Sequence, residues 1–239
     1  MTGSKLKIIA IITMLIDHVG FGIVWRLPSI ESSSIIYVAM RMIGRLAFPI
    51  FIFLLIEGFT HTRSKLKYAI RMFVFAFVSE IPFDLAFWGS TVNMSHQNVY
   101  FTLFIGLLVI WGMDEVHKRF LKDEKSSKVP VIILDTILIL AGSVLATVLK
   151  TDYSYIGILA IAFMYLYRRN RVIQALAGCI VLTVLNPFEF TCFAIIPLIA
   201  MYNGKRGIGL KYLFYIFYPA HLFIIYLIAA FMGYNLWIF

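Results

Sequence analysis

Long apolar runs separated by short polar stretches dominate the chain. Nine of them come close to the roughly 20 mostly apolar residues that a membrane-spanning helix needs: residues 6–27, 35–59, 68–88, 98–116, 131–149, 154–167, 172–186, 190–203 and 212–235. The sixth and seventh are short, so a tilted pair, a re-entrant element and one broken hairpin all fit them, and eight or ten spans stay open. The pattern predicts an all-α, polytopic transmembrane helix bundle of about nine spans. With no internal repeat, low-complexity tract or long linker, residues 1–239 read as a single domain.

Composition sharpens this. Charged residues are 14% of the chain and hydrophobic ones 62%, against roughly 25% charged in soluble proteins; mean hydropathy is +0.91. A disordered chain, a disulfide-rich secreted domain and a soluble nucleic-acid binder are excluded despite a net charge of +9. The two cysteines, Cys179 and Cys192, lie inside apolar runs, which implies neither a disulfide framework nor a zinc site. The N-terminal run lacks a small-residue cleavage site and holds Asp17 and His18, so it reads as a retained first helix.

The basic excess is a matter of topology. Of 21 Lys and Arg, 17 fall in one set of alternate loops, including Lys122 and Lys125, two (Arg26 and Lys150) in the opposite set, and Arg41 and Arg45 inside the second span. Positive charge is retained on the cytoplasmic side during insertion. The expectation is a multi-pass protein of the cell (inner or plasma) membrane with its N-terminus cytoplasmic. Trp25, Trp88, Tyr167, Tyr212, Tyr234 and Trp237 near span ends fit interfacial belts.

Ionisable groups at bilayer depth are costly unless paired or wet, and they point to chemistry. At about 1.5 Å per residue, His18 stands about 18 Å from the inner start of the first span, Arg41 and Arg45 about 9 and 15 Å below the outer start of the second, and Glu80 about 18 Å up the third with Asp84 a turn beyond. Asp17 sits beside His18, so five charged groups and a histidine share one layer. Arg41 and Arg45 share a helix face, as do Glu80 and Asp84. One reading is buried ion pairs that only pack spans two and three. The other is a general base, His18, its tautomer and basicity set by Asp17. Glu57 and His61 belong to the inner mouth of span two, and His221, after Tyr218 and Pro219, is placed to line the same cavity as His18. His96 and His117 read as solvated, Asp135 and Asp152 as helix-end residues. No metal-ligand spacing and no phosphate-binding glycine loop occurs.

Several of these residues lie in longer motifs: Asp17-His18 within 10–20; Arg41, Gly44, Arg45 and Pro49 within 41–51; Glu57-Gly58-Phe59-Thr60-His61-Thr62; Ser79-Glu80-Ile81-Pro82-Phe83-Asp84-Leu85; Asn98 to Thr102; Asp152-Tyr153 with Gly157; and Tyr215-Ile216-Phe217-Tyr218-Pro219-Ala220-His221. In this order, over nearly the whole chain, they resemble the TraX family. The resemblance implies a membrane-bound acetyltransferase, the founding member being associated with N-terminal acetylation of a conjugative pilin. The family is similar to a wider group of transmembrane acyltransferases, including acyltransferase-3 proteins and the heparan glucosaminide N-acetyltransferase. It further implies acetyl-CoA as cytoplasmic donor, no metal, and an extracytoplasmic peptide, glycan or lipid as acceptor. His18 matches the histidine of the early spans by position, with Asp17 adjacent. On that reading Arg45, or a hydroxyl or amide nearby, stabilises the thioester oxyanion while Glu80 and Asp84 hold the arginines. Arg41, His61, Arg63, Lys67, Arg71, Tyr218 and His221 line the donor site, with the CoA phosphates at the basic mouth. A proton-coupled transporter built on the same buried Asp, His, Arg and Glu is the alternative, and a non-enzymatic assembly protein the third reading.

Overall fold

The described residues are mostly helical. The computed structural model describes residues 1–27, 34–121, 127–209 and 211–233, with the backbone alone for 211–214. In order the helices are α1 Gly3–Gly22, α2 Ile35–Gly44, α3 Ala47–His61, α4 Lys65–Trp88, α5 Val99–Phe120, α6 Val129–Val148, α7 Ser154–Leu166, α8 Arg171–Leu185, α9 Ile195–Ala200 and α10 Lys211–Phe231, with 3-10 turns at Val24–Arg26 and Pro187–Ala194. Lys122, Lys125, Tyr234 and Trp237 lie outside the described residues, as do the side chains of Lys211 and Tyr212. Among the described residues the extended pairing is a single bridge between Gln97 and Thr151.

The expected second span is two helices. Pro49 stands in the first turn of α3, where it lacks the N–H that would reach the Arg45 carbonyl and its ring crowds that carbonyl. The chain therefore breaks after Gly44 and restarts at Ala47. The expected eighth span is likewise divided, into the 3-10 stretch and α9. The short sixth and seventh segments are separate helices, α7 and α8, packed on each other.

Gly3–Arg26, Ile35–His61, Val99–Phe120 and Val129–Val148 are long and apolar enough to cross a membrane; Ser154–Leu166, Arg171–Leu185, Pro187–Ala200 and Tyr215–Phe231 are apolar but shorter. On α6, Ile132, Ile133, Ile137, Leu140, Val144 and Val148 form a face more than half exposed, and Ile70, Phe77 and Ile81 do the same on α4. Continuous faces of this kind suit contact with lipid. The main core joins α3, α5 and α7 through Ile50, Phe53, Ile56, Leu107, Ile110, Ile158, Ile161 and Tyr165. A smaller cluster, Met14, Phe83, Phe87, Tyr218, Leu222 and Ile225, joins α1, α4 and α10.

Polar contacts tie the two ends. At the basic end the Gly3 and Ser4 amides donate to the Lys205 and Arg206 carbonyls at 2.9 and 3.0 Å. Nearby, Lys65 donates to Asp114 and Glu115 at 2.5 and 2.8 Å. At the opposite end Gln97 exchanges backbone bonds with Lys150 and Asp152 at 3.0 and 2.9 Å.

His117 and Asp135 are not the solvated residues the sequence suggests. α5 continues past the expected end at residue 116 to Phe120, which carries His117 alongside α6. Its Nε2 lies 2.6 Å from Asp135 Oδ2, and Asp135 is only 7% exposed. Asp135 Oδ1 has no partner among the described residues, so His117→Leu would leave both oxygens bare. We expect that variant to lose about 1–3 kcal/mol of stability, read as a lower thermal midpoint in detergent. His117→Gln should recover most of it, and an unchanged midpoint for the leucine variant would make the pair dispensable.

Candidate active site

α1 and α2 meet at Gly44, where a Cβ would fall 2.2 Å from Asp17 Oδ1. The close approach brings Asp17 against both arginines. Arg41 Nη1 donates to its Oδ2 at 2.8 Å and Arg45 Nη2 to its Oδ1 at 2.9 Å. Arg45 Nη1 also donates to Glu189 Oε1 at 3.0 Å, and its Nε to the Arg41 carbonyl at 3.2 Å, across the break between α2 and α3. Two guanidinium groups and two carboxylates thus compensate one another, the condition under which charge is tolerated away from water.

Glu80 and Asp84 do not hold the arginines. Their face of α4 lies against the stretch leading into α5, whose backbone N–H groups need acceptors. Asp84 Oδ2 accepts from the Asn93 amide at 2.7 Å, and Glu80 Oε2 from the Asn98 amide at 3.1 Å and from the Asn98 side chain. Asn98 in turn caps α5, accepting from the Tyr100 amide at 2.9 Å.

Nor does Asp17 orient His18. Sequence neighbours on a helix do not face each other, and both Asp17 oxygens are taken by arginines. His18 Nδ1 instead lies 2.7 Å from His221 Nε2 on α10, and His221 Nδ1 lies 2.8 Å from the Phe217 carbonyl. Phe87 meets the His18 ring edge-on at 5.4 Å.

Two cavities adjoin here. The smaller, about 240 Å³, holds Asp17, His18, Arg41, Arg45, Asp152 and Tyr153 among aromatic walls that include Phe48, Phe83 and Phe87. The larger, about 720 Å³, opens among Lys7, His61, Arg63, Arg71 and Arg206 at the basic end and is walled by tyrosines 68, 100, 202, 215 and 218. Met14, Phe51 and Val99 line both, and Met14 lies one helical turn before His18, on the same face of α1.

The turn between α6 and α7 supplies the rest of the smaller cavity. Lys150, Tyr153 and Ser154 hold φ of 53°, 61° and 44°, a left-handed conformation that non-glycine residues adopt only when their surroundings impose it. The Gln97 bonds fix the turn on one side, and the Thr102 hydroxyl, which donates to Thr151 Oγ1 at 3.0 Å and to the Asp152 carbonyl, fixes it on another. The Tyr153 ring is thereby stacked on Phe48 at 3.7 Å. Burial pushes its phenol well above the ordinary range, so it stays protonated, and raises the Asp152 carboxyl against the opposing pull of Arg45.

The chain matches the family described as TraX protein over residues 2–229, which takes in every residue of both cavities. It belongs to the TraX family. A relative described as probable fimbrial assembly protein FimC, serogroup H1, from Dichelobacter nodosus is 30% identical over 250 residues, covering 91% of each chain. No solved structure matches. Family and apolar helices together make this TraX chain a membrane protein.

Of the residues singled out in this TraX-family sequence, Asp17, His18, Arg41 and Arg45 come together at the smaller cavity, and His61, Arg63, Arg71 and Tyr218 at the larger. Lys67, Glu80 and His221 line neither: Lys67 is exposed on the first turn of α4, and His221 is buried behind His18. Asp152 is part of the cavity wall rather than a solvated helix end. Glu189 and Tyr153 were not foreseen as site residues. Glu189 falls between the apolar runs 172–186 and 190–203, where a carboxylate reads as an ordinary loop residue. Tyr153 stands in the Asp152-Tyr153 motif of the resemblance, but the motif does not show its aim, which the left-handed turn sets. Among the described residues no group of three or more His, Cys, Asp or Glu side chains is gathered to hold a metal.

Proposed function

We propose that this protein is a membrane-bound acetyltransferase that takes an acetyl group from acetyl-CoA at its basic, cytoplasmic end and passes it to an amine or hydroxyl across the membrane. In this reading the N-terminus is cytoplasmic, the chain crosses the inner or plasma membrane about nine times, and the acceptor is a pilin-like peptide N-terminus or a surface glycan. The fimbrial assembly relative supports the pilin side of that choice. One observation carries the reading: a large cavity rimmed by Lys7, Arg63, Arg71 and Arg206 adjoins, across the shared wall of Met14, Phe51 and Val99, a small one walled by aromatic rings and holding His18. The rim suits the phosphates of CoA. From Lys7 to His18 is a climb of about 16 Å along α1, which suits a donor whose charged head and reactive thioester are joined by a long flexible arm.

The chemistry follows from the small cavity. His18 takes the acceptor's N–H or O–H proton as the acceptor atom bonds to the thioester carbonyl carbon. The Tyr153 phenol and the Arg41 guanidinium, which commits one nitrogen to Asp17, are the donors available to the carbonyl oxygen as it gains charge. Arg45, each of whose nitrogens already donates to a partner, holds the wall in place. When the C–S bond breaks, the proton held by His18 passes to the sulfur and CoA leaves as the thiol. No covalent acetyl-enzyme is required.

The test is binding of acetyl-CoA, CoA and acetate to the detergent-purified protein. Acetyl-CoA and CoA should bind with similar affinity and acetate not at all; failure of acetyl-CoA to bind the folded protein would overturn the reading. Arg63→Ala with Arg71→Ala should weaken CoA binding roughly 10- to 100-fold at low salt, and less as salt rises. Lys67→Ala, outside the cavity, should leave it unchanged. Equal affinity in all three proteins would return these arginines to topology alone.

A further inference from the structure

We propose that His221 is a positioning residue that fixes the tautomer of His18. The consequence for catalysis rests on the acetyltransferase reading; the pairing itself does not. The argument starts from the far end of the chain of bonds. The Phe217 carbonyl can only accept, so at 2.8 Å the His221 Nδ1 must carry its hydrogen. In a neutral imidazole the other nitrogen, Nε2, is then bare. A charged His221 would be a positive group only 5% exposed with no carboxylate paired to it among the described residues, since Asp17 and Glu189 are matched to Arg41 and Arg45. The neutral form is the one this site accommodates.

A bare Nε2 on His221 obliges His18 to donate from Nδ1 across the 2.7 Å contact. The ring geometry agrees: the planes are 6° apart and the centroids 5.0 Å apart. That spacing is the N···N distance plus the two ring radii, which is an in-plane edge-to-edge bond rather than a face stack. With its hydrogen on Nδ1, His18 presents a bare Nε2 from its opposite edge. His18 lines the small cavity and His221 does not, so the free lone pair is the one an acceptor can reach. When Nε2 takes a proton, the Nδ1–H bond to His221 strengthens as positive charge develops on the His18 ring. His221 thereby does for His18 what a carboxylate does in a hydrolase triad, and Asp17 is left to the arginines.

The test reads the tautomer directly. The full chain, labelled with ¹⁵N-histidine in lipid nanodiscs, gives a small imidazole spectrum because the chain has 5 histidines. His18 and His221 are assigned from His18→Ala and His221→Leu. We expect the hydrogen on Nδ1 in both rings of the wild-type protein, and a move to Nε2 on His18 in His221→Leu. A hydrogen on His18 Nε2 in the wild-type protein would overturn the proposal, and this measurement stands even if His221→Leu fails to fold. With acetyl-CoA and water as acceptor, His221→Leu should lower kcat about 100-fold at an unchanged KM for acetyl-CoA. His221→Gln, which keeps an acceptor oxygen, should recover much of that loss. A raised KM with kcat intact would overturn the proposal by making His221 a donor-binding residue. Turnover at the wild-type rate in His18→Ala would remove His18 from the base role, and absence of turnover in the wild-type protein would overturn the acetyltransferase reading; in either case the wild-type spectrum would decide the pairing alone.

Discussion

Acetyl-CoA turnover by His18→Ala is expected to fall by about 10²- to 10⁴-fold, the range that a general base supplies, while binding of acetyl-CoA is retained. The two expectations separate because the basic rim lies at the far end of the larger cavity, away from His18. The variant should fold. His18 contributes one side-chain hydrogen bond, to His221, and edge contacts with Phe87 and Tyr218, and a single unmet buried acceptor costs about 1–3 kcal/mol. Release of CoA thiol, measured on protein that elutes as a single species in detergent, checks the prediction. Turnover at the wild-type rate would remove His18 from the base role.

The largest loss of stability is expected from a change of one carbon, Gly44→Ala. Its Cβ would meet Asp17 Oδ1, Cβ and Cγ at 2.2, 2.3 and 2.4 Å, inside any tolerable contact, and Asp17 cannot give way without releasing both arginines. Either α2 moves off α1 or the Asp17 carboxylate swings out, and each leaves Arg45 facing Glu189 alone in a site where that carboxylate side chain is 1% exposed. Breaking a buried charge network by removing one partner costs about 3–5 kcal/mol, and Asp17→Ala should cost a similar amount. Thermal midpoints of the two variants in detergent check this. A wild-type midpoint for Gly44→Ala would mean that the α1–α2 contact yields cheaply and that the charges are not held there by it.

Much of this was legible before any coordinates. The apolar runs located most of the helices, because a helix that must satisfy its backbone in lipid has few ways to be written. Helical rise alone brought Asp17, His18, Arg41 and Arg45 to one level. What rise cannot supply is azimuth. Glu80 and Asp84 stand at a compatible height but face the approach to α5, so counting residues per turn paired the arginines with the wrong carboxylates. Glu189 was missed because it falls in the short gap between two apolar runs, which reads as a loop and is instead part of a 3-10 turn folded back on α8. The break at Arg45 was written in Pro49, four residues on. Tyr153 was marked only as part of the Asp152-Tyr153 motif, and its role was not readable, since its aim depends on a left-handed turn held by partners from α5 and the residues before it.

The junction between the two cavities has a consequence of another kind. If the two cavities open to opposite sides of an energised membrane, as the proposed function requires, a continuous file of water between them would let protons run down the gradient between turnovers. Met14, Phe51 and Val99, where the hollows meet, present a thioether, a ring and a branched alkyl group, none of which gives water a strong partner. Apolar side chains at such a junction disfavour a file of water. On the acetyltransferase reading, the three side chains that would have to admit a thin acyl-bearing arm would also insulate the membrane when the arm is absent, and the arm itself would be the plug when it is present.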